Sequence, residues 1–153
     1  MKQSSVPEGY RSITPYLKLP NCARLIEFLK KAFDGIEKAR LLRPDGAVLH
    51  AELMIGDSLV MIHEAPGHWK LKPSTLYLYV SDVDATYKKA IEAGGTSMIA
   101  PTNMYYGDRV ACVSDVSEND WWIATRLENP PIEEIQERAT TFLKARSEAI
   151  GLS

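Results

Sequence analysis

The two halves of this 153-residue chain repeat one pattern at a constant spacing of 61 residues. Residues 16–35 fall on residues 77–96, which pairs Tyr16 with Tyr77, Leu17 with Leu78, Leu19 with Val80, Asn21 with Asp82 and Ala32 with Ala93. The same spacing continues over about fifty positions without a gap and pairs Ala51 with Cys112. A constant spacing that also preserves the order of elements predicts a duplicated module, which limits the fold more than any local motif does.

Each half predicts a strand, a helix and three further strands. Asn21 and Asp82 follow the first strands, "ITPYLKL" and "TLYLYVS", and are expected to cap the next helix by accepting its free N–H groups. Apolar residues then recur at helical spacing in both halves. The remaining strands are predicted near residues 36–43, 47–55 and 58–64, and near 97–104, 108–114 and 121–127.

A module of about 60 residues is too small to bury one face of its sheet alone, so the two halves are expected to pack together. The predicted fold class is α+β, with two βαβββ modules in tandem forming a curved mixed sheet with helices on its convex side. The modules cover about residues 11–65 and 74–128 of a domain at 1–128.

Residues 129–153 predict a C-terminal helical extension, because a proline pair and acidic residues precede an apolar stripe. The stripe consists of Ile132, Ile135, Ala139, Phe142 and Leu143. Packing against its own domain and bracing a partner subunit are both open interpretations of this helix.

The segment "GAVLHAELMIGDSLVMIHEA", at 46–65, predicts a hairpin around Gly56-Asp57. A two-residue turn places Ala51 opposite Ile62 on an apolar face, and His50 opposite His63 on the other face. A three-residue turn would break this separation. The second face mixes histidine, glutamate and methionine, which suits a concave binding surface better than a core.

The eight side chains expected to line that surface are Tyr16, His50, Glu52, Met61, His63, Tyr77, Tyr79 and Trp122. Aromatic rings with hydroxyl or indole groups are costly to bury unless those polar ends find partners. Stacking on a flat ligand is therefore predicted, and a hollow filled by its own side chains is the alternative.

The charge pattern excludes several classes of partner. The net charge is -2, the pI is about 5.9, and the Lys and Arg residues are scattered, so neither nucleic acid nor an anionic membrane is expected to bind. No apolar run approaches the ~18 residues that a membrane span needs. The two cysteines, Cys22 and Cys112, lack C-x-x-C spacing and predict inert core thiols in a reducing, cytoplasmic compartment.

Three segments together resemble the vicinal oxygen chelate superfamily, which includes glyoxalase, bleomycin-resistance proteins and extradiol dioxygenases. They are "LHAELMIGDSLVMI", "YLYVSDVDATYKKAIEAGG" and "YYGDRVACVSDVSENDWWIATRLE". The similarity covers about residues 11–128 and is greatest to PhnB-like proteins. Residues 115–125 depart from that branch, because its D-P-F-G sequence has lost the Pro and Gly.

The resemblance implies metal-ligand positions at Thr14, Met61, Thr75 and Trp122. Hydroxyl, thioether and indole groups are poor ligands for Zn, Ni, Fe or Mn, so neither a metal nor another cofactor is expected. The resemblance then implies a small-molecule-binding homodimer, with no catalytic residue assigned. The alternative is a metal-dependent lyase, isomerase or dioxygenase in which His50, Glu52 and His63 have taken over the chemistry.

Overall fold

The computed structural model describes residues 5–151, within which there are eight strands and three helices. The first module contains β1 (Tyr16–Leu19), α1 (Cys22–Phe33), β2 (Ile36–Leu42), β3 (Val48–Ile55) and β4 (Ser58–Glu64). The second module contains β5 (Thr75–Tyr79), α2 (Val83–Glu92), β6 (Thr96–Asn103), β7 (Asp108–Ser114) and β8 (Asp120–Arg126), and α3 (Ile132–Ala149) follows. The predicted α+β class, the order of elements in both modules and the C-terminal helix are confirmed.

Each module forms its own four-stranded mixed sheet. The strand orders are β1-β4-β3-β2 and β5-β8-β7-β6, so the two modules share one topology. In each sheet the first and last strands of the module pair in parallel, and the other neighbours are antiparallel.

The hairpin of the first module has the predicted register. Ile55 pairs with Ser58, Ala51 with Ile62, and His50 with His63 across a two-residue turn at 56–57. Alternation therefore separates an apolar face from a mixed face, as expected from the sequence.

The apolar faces of both sheets contribute to one continuous core that also contains α1. The rings of Phe33 on α1 and Trp121 on β8 lie 4.8 Å apart between centroids, so a helix of one module packs on the sheet of the other. Burial of a large apolar side chain such as Phe28 contributes roughly 1.5–3 kcal/mol. The opposite face of each sheet, here called the helix-free face, therefore points away from this core.

The two helix starts are capped differently. Asp82 accepts a hydrogen bond from the backbone N–H of Ala85 at 3.0 Å, as predicted. The expected cap at Asn21 is wrong, because this residue has a φ of 61° and its side chain makes no cap bond. Parallel pairing of β1 with β4 instead brings Glu64 beside the helix, where its carboxylate accepts from the N–H groups of Asn21 (3.0 Å) and Cys22 (3.2 Å).

The spacing of 61 residues is interrupted in β7. An irregularity in the β2–β3 pairing leaves Leu49 of the first module as an extra residue, and Glu52 pairs with Met61 as Cys112 pairs with Trp122. Cys112 is therefore the counterpart of Glu52, at a spacing of 60 residues (112 minus 52), and the expected pairing of Ala51 with Cys112 is wrong. The turn before β8 is one residue longer than its counterpart and restores the original spacing.

The buried side chain of Asp115 organises that longer turn. One carboxylate oxygen accepts from the N–H groups of Ser117 (2.8 Å) and Asn119 (3.0 Å), and the other accepts from the indole Nε1 of Trp121 at 2.8 Å. Asn119 in turn accepts from the backbone N–H of Ser74 at 3.0 Å. This network fixes the turn in place of the missing Pro and Gly, and it ties the turn to the linker between modules.

The C-terminal helix lies on its own chain but buries none of its residues. Arg138 forms ion pairs with Glu128 and Glu134, and the Phe142 ring lies 5.1 Å from the Tyr105 ring. Leu143 remains 60 % exposed, so part of the apolar stripe has no cover in one chain. No helix within residues 5–151 is long and apolar enough to cross a membrane.

We expect Asp115→Asn to lower the free energy of unfolding by about 1–3 kcal/mol, because an amide nitrogen cannot accept the bonds that the buried carboxylate accepts. Chemical denaturation followed by circular dichroism measures the change. Asp45→Asn, in the exposed β2–β3 turn, is the matched control and should change stability little. Equal stability of the two variants would contradict the proposed role of the network.

Candidate functional site

The eight predicted site residues lie on the helix-free faces of the two sheets, in two groups. Strands of the first sheet carry Tyr16, His50, Glu52, Met61 and His63, and strands of the second carry Tyr77, Tyr79 and Trp122. Each sheet brings its own group together. Because both faces point away from the shared core, one chain presents two surfaces rather than the single hollow expected from the sequence.

A row of polar side chains crosses the helix-free face of the first sheet. The Tyr10 hydroxyl donates a short hydrogen bond to Glu52 Oε1, and His50 Nε2 lies 3.4 Å from the same oxygen. His63 Nδ1 lies 3.4 Å from His50 Nδ1. The Tyr16 ring follows His63 with 6.0 Å between centroids. Tyr10 was missed by the sequence reasoning, because it lies in an irregular segment before β1 where no periodicity indicates its position.

The environment of His63 favours the neutral imidazole. Burial is the largest cause of its lowered pKa, followed by the nearby His50 and by the positive charge of Lys18, while Glu64 opposes the shift. The Lys18 ammonium lies 3.8 Å from the centre of the Trp69 ring, which holds this cation at the edge of the same face.

A buried carboxylate organises the helix-free face of the second sheet. Asp108 is 1 % exposed, and its Oδ2 accepts from the hydroxyls of Tyr77 (2.8 Å) and Tyr79 (3.0 Å). Its Oδ1 accepts no well-aligned hydrogen bond and is neutralised by Arg126, whose Nε lies 2.8 Å away. Arg126 also donates to the Tyr79 hydroxyl at 3.2 Å.

This arrangement fixes two aromatic rings at the surface. The rings of Tyr77 and Tyr79 lie 5.3 Å apart and stay 45 % and 54 % exposed, although their hydroxyls are held from below. Burial, with contributions from the Tyr106 hydroxyl and Asp108, raises the pKa of Tyr77 well above its ordinary value. Asp108 and Arg126 are a cross-strand pair of β7 and β8, and the fixed spacing between the modules could not show this.

A groove of about 400 Å³ lies where the two modules meet. Tyr79 is the one predicted site residue in its wall, beside Phe33, Ile36, Met54 and Leu78. The groove therefore touches the second helix-free face only at its end.

Comparison with known proteins places this architecture. The Glyoxalase/Bleomycin resistance protein/Dioxygenase superfamily matches residues 18–123 of the chain. The chain belongs to this superfamily. The uncharacterized protein Mb0911c of Mycobacterium bovis is 32 % identical over 136 residues, which cover 82 % of this chain and 90 % of that protein. The uncharacterized protein Rv0887c of Mycobacterium tuberculosis is also 32 % identical over 136 residues, covering 82 % of this chain and 80 % of that protein.

Solved structures of the superfamily share the fold at low identity. TioX from Micromonospora sp. ML1 has a TM-score of 0.61 at 21 % identity, covering 76 % of this chain and all of TioX (100 %). The fosfomycin resistance protein FosX from Mesorhizobium loti has a TM-score of 0.57 at 15 % identity, covering 75 % of this chain and 91 % of FosX. These similarities establish the fold alone.

The side chains at the four positions implied by the superfamily do not fit a metal. Thr14 precedes β1, Met61 and Trp122 pair with Tyr16 and Tyr77, and Thr75 begins β5. None offers imidazole or carboxylate. Within residues 5–151, no three His, Cys, Asp or Glu side chains converge as a metal-binding group.

Both cysteines are buried, as predicted. Burial is the main cause that raises the pKa of Cys22 to about 12 and that of Cys112 to about 11. Thiols with such pKa values are largely protonated near neutral pH and are weak nucleophiles.

We expect NMR titration to give His63 a pKa below its ordinary 6.5, and Lys18→Met to raise that pKa, because it removes a nearby positive charge. Lys88→Met, on the exposed surface of α2, is the control and should leave it unchanged. Since the unfolded state binds this proton more tightly, the His63 contribution to stability should be lost as pH falls from 6.5 through the folded-state pKa. A His63 pKa above 6.5 would contradict the assigned environment.

Proposed function

We propose that this protein binds a planar or amphipathic small molecule against its helix-free faces, without a metal and without making or breaking bonds. In this it would resemble the bleomycin-resistance and PhnB-like members of the superfamily. The observation that carries the proposal is the exposure of three tyrosine rings on these faces. Tyr16 is 49 % exposed, and Tyr77 and Tyr79 are exposed to a similar degree. Each ring leaves apolar area that a flat ligand would cover, at about 0.5–1.5 kcal/mol per aromatic contact beyond burial.

Fixed rings make a better platform than free ones. The Asp108 carboxylate holds the hydroxyls of Tyr77 and Tyr79 before any ligand arrives. Ordering a side chain on binding costs about 0.5–1.5 kcal/mol, so part of this cost is already met in the free protein.

We further propose that a second copy of the chain completes the site. Ligand pockets commonly enclose 70–90 % of a bound molecule, roughly, which one open face cannot do. In a two-fold dimer, the Tyr77 and Tyr79 face of one chain would lie opposite the Tyr16 and His63 face of its partner, which gives two equivalent sites. The exposed stripe of α3 would then be available to brace the pairing.

Two further observations support the proposal. The name of FosX shows that one protein of this fold is associated with resistance to a small antibiotic, which is a precedent from the fold and not from these residues. Cys22 and Cys112 are both free thiols, which supports a reducing, cytoplasmic location.

Titration of flat aromatic compounds against tryptophan fluorescence tests ligand binding. We expect Tyr77→Leu to weaken binding about tenfold, because it removes one stacking ring from the face. Tyr87→Leu, on α2, is the control and should bind as the parent does. A broad set of flat compounds that gives no spectral change, or equal weakening in both variants, would overturn the proposal.

Native mass spectrometry tests the assembly and the absence of a metal in one measurement. We expect a dimer without stoichiometric Zn, Ni, Mn or Fe. One metal ion per chain that is lost in His63→Ala and kept in His68→Ala would instead favour the metal-dependent lyase, isomerase or dioxygenase that uses His50, Glu52 and His63. A monomer at concentrations where ligand still binds would overturn the shared site.

A further inference from the structure

The tyrosine hydroxyls of the helix-free faces donate their protons inward. Tyr77 and Tyr79 both donate to Asp108, and Tyr10 donates to Glu52. The Tyr106 hydroxyl lies 3.4 Å from that of Tyr77, whose own proton is already committed, so Tyr106 is the donor of this pair. These four phenols therefore offer a ligand lone pairs and no protons.

The histidine row has the same direction. Since Glu52 is an acceptor, His50 must carry its proton on Nε2, which leaves a lone pair on Nδ1 of a neutral ring. His63 then donates from Nδ1 to that lone pair, and its Nε2 is left as an acceptor. The lowered pKa of His63 supports the neutral ring on which this assignment depends.

The fixed charges on these faces are predominantly negative. Asp108 and Arg126 neutralise one another. Glu52 keeps one oxygen, Oε2, without a hydrogen bond from Tyr10 or His50. Asp120 lies on the second face, opposite Thr75, and forms no ion pair within the described part of the chain. Lys18 is the cation that opposes them, and its ammonium lies over Trp69.

We infer that the ligand is a flat organic cation that carries N–H hydrogen-bond donors, a conclusion that rests on the proposed binding function. Its ring would stack on Tyr16, Tyr77 and Tyr79, where cation–π attraction adds to apolar burial. Its N–H groups would donate to Glu52 Oε2 and His63 Nε2. An anionic ligand would find few free donors on these faces and would face uncompensated carboxylates.

Calorimetric titration of the full chain with three flat probes tests this inference, at about pH 8 so that the imidazoles are neutral. Proflavine is a cation with two amino groups, acridine orange is the same cation with those groups methylated, and anthracene-9-carboxylate is an anion of similar area. We expect proflavine to bind about tenfold more tightly than either of the others. Glu52→Gln should weaken proflavine binding about tenfold, and Lys18→Met should strengthen it. Asp57→Asn, in the exposed β3–β4 turn, is the control for the loss of a carboxylate elsewhere and should have no effect.

The outcomes separate this inference from the function on which it rests. Equal or tighter binding of the anion, or equal binding of the two cations, would overturn the inference while flat-ligand binding stands. Equal affinities of Glu52→Gln and Asp57→Asn for proflavine would also overturn it, and Lys18→Met provides the reading if the Glu52 variant does not fold. Failure of all three probes to bind would overturn both the inference and the proposed function.

Discussion

The shared core of the two modules is the constraint on which the rest of this structure depends. A single βαβββ unit has too little apolar surface to fold alone, and here the two units meet this need through the contact of Phe33 with Trp121 and the burial of Phe28 among both modules. Once both sheets turn their apolar faces to that core, their other faces must turn outward. The exposed tyrosines and the polar rows follow from this choice of partner surface.

Much of the fold follows from local patterns in the chain. Alternation of apolar and polar residues and the Gly56-Asp57 turn were sufficient to give the register that places His50 opposite His63. Asn21 shows where local reasoning fails. Its helix start is capped by Glu64, a residue 43 positions away, and only the parallel pairing of β1 with β4 brings the two together.

The candidate site was predictable in part for the same reason. The strands that carry the aromatic residues could be inferred, and those residues lie on the expected faces. Tyr10 reaches Glu52 from an irregular segment, and Asp108 meets two tyrosines and Arg126 from neighbouring strands. Such contacts depend on tertiary geometry, and a composition that favours neither sign of charge gives no sign of them.

The extra residue at Leu49 shows what the duplication has preserved. The irregular pairing around Leu49 accommodates one length difference and the turn held by Asp115 accommodates the other, so both differences lie outside the regularly paired segments. The modules have lost their one-to-one correspondence in length, yet Cys112 faces the same side of its sheet as Glu52 does of its own. Parity has outlasted colinearity in this gene-level copy: one ancestral surface position now holds a carboxylate in one half and a thiol in the other, which leaves the two halves chemically unlike on a common frame.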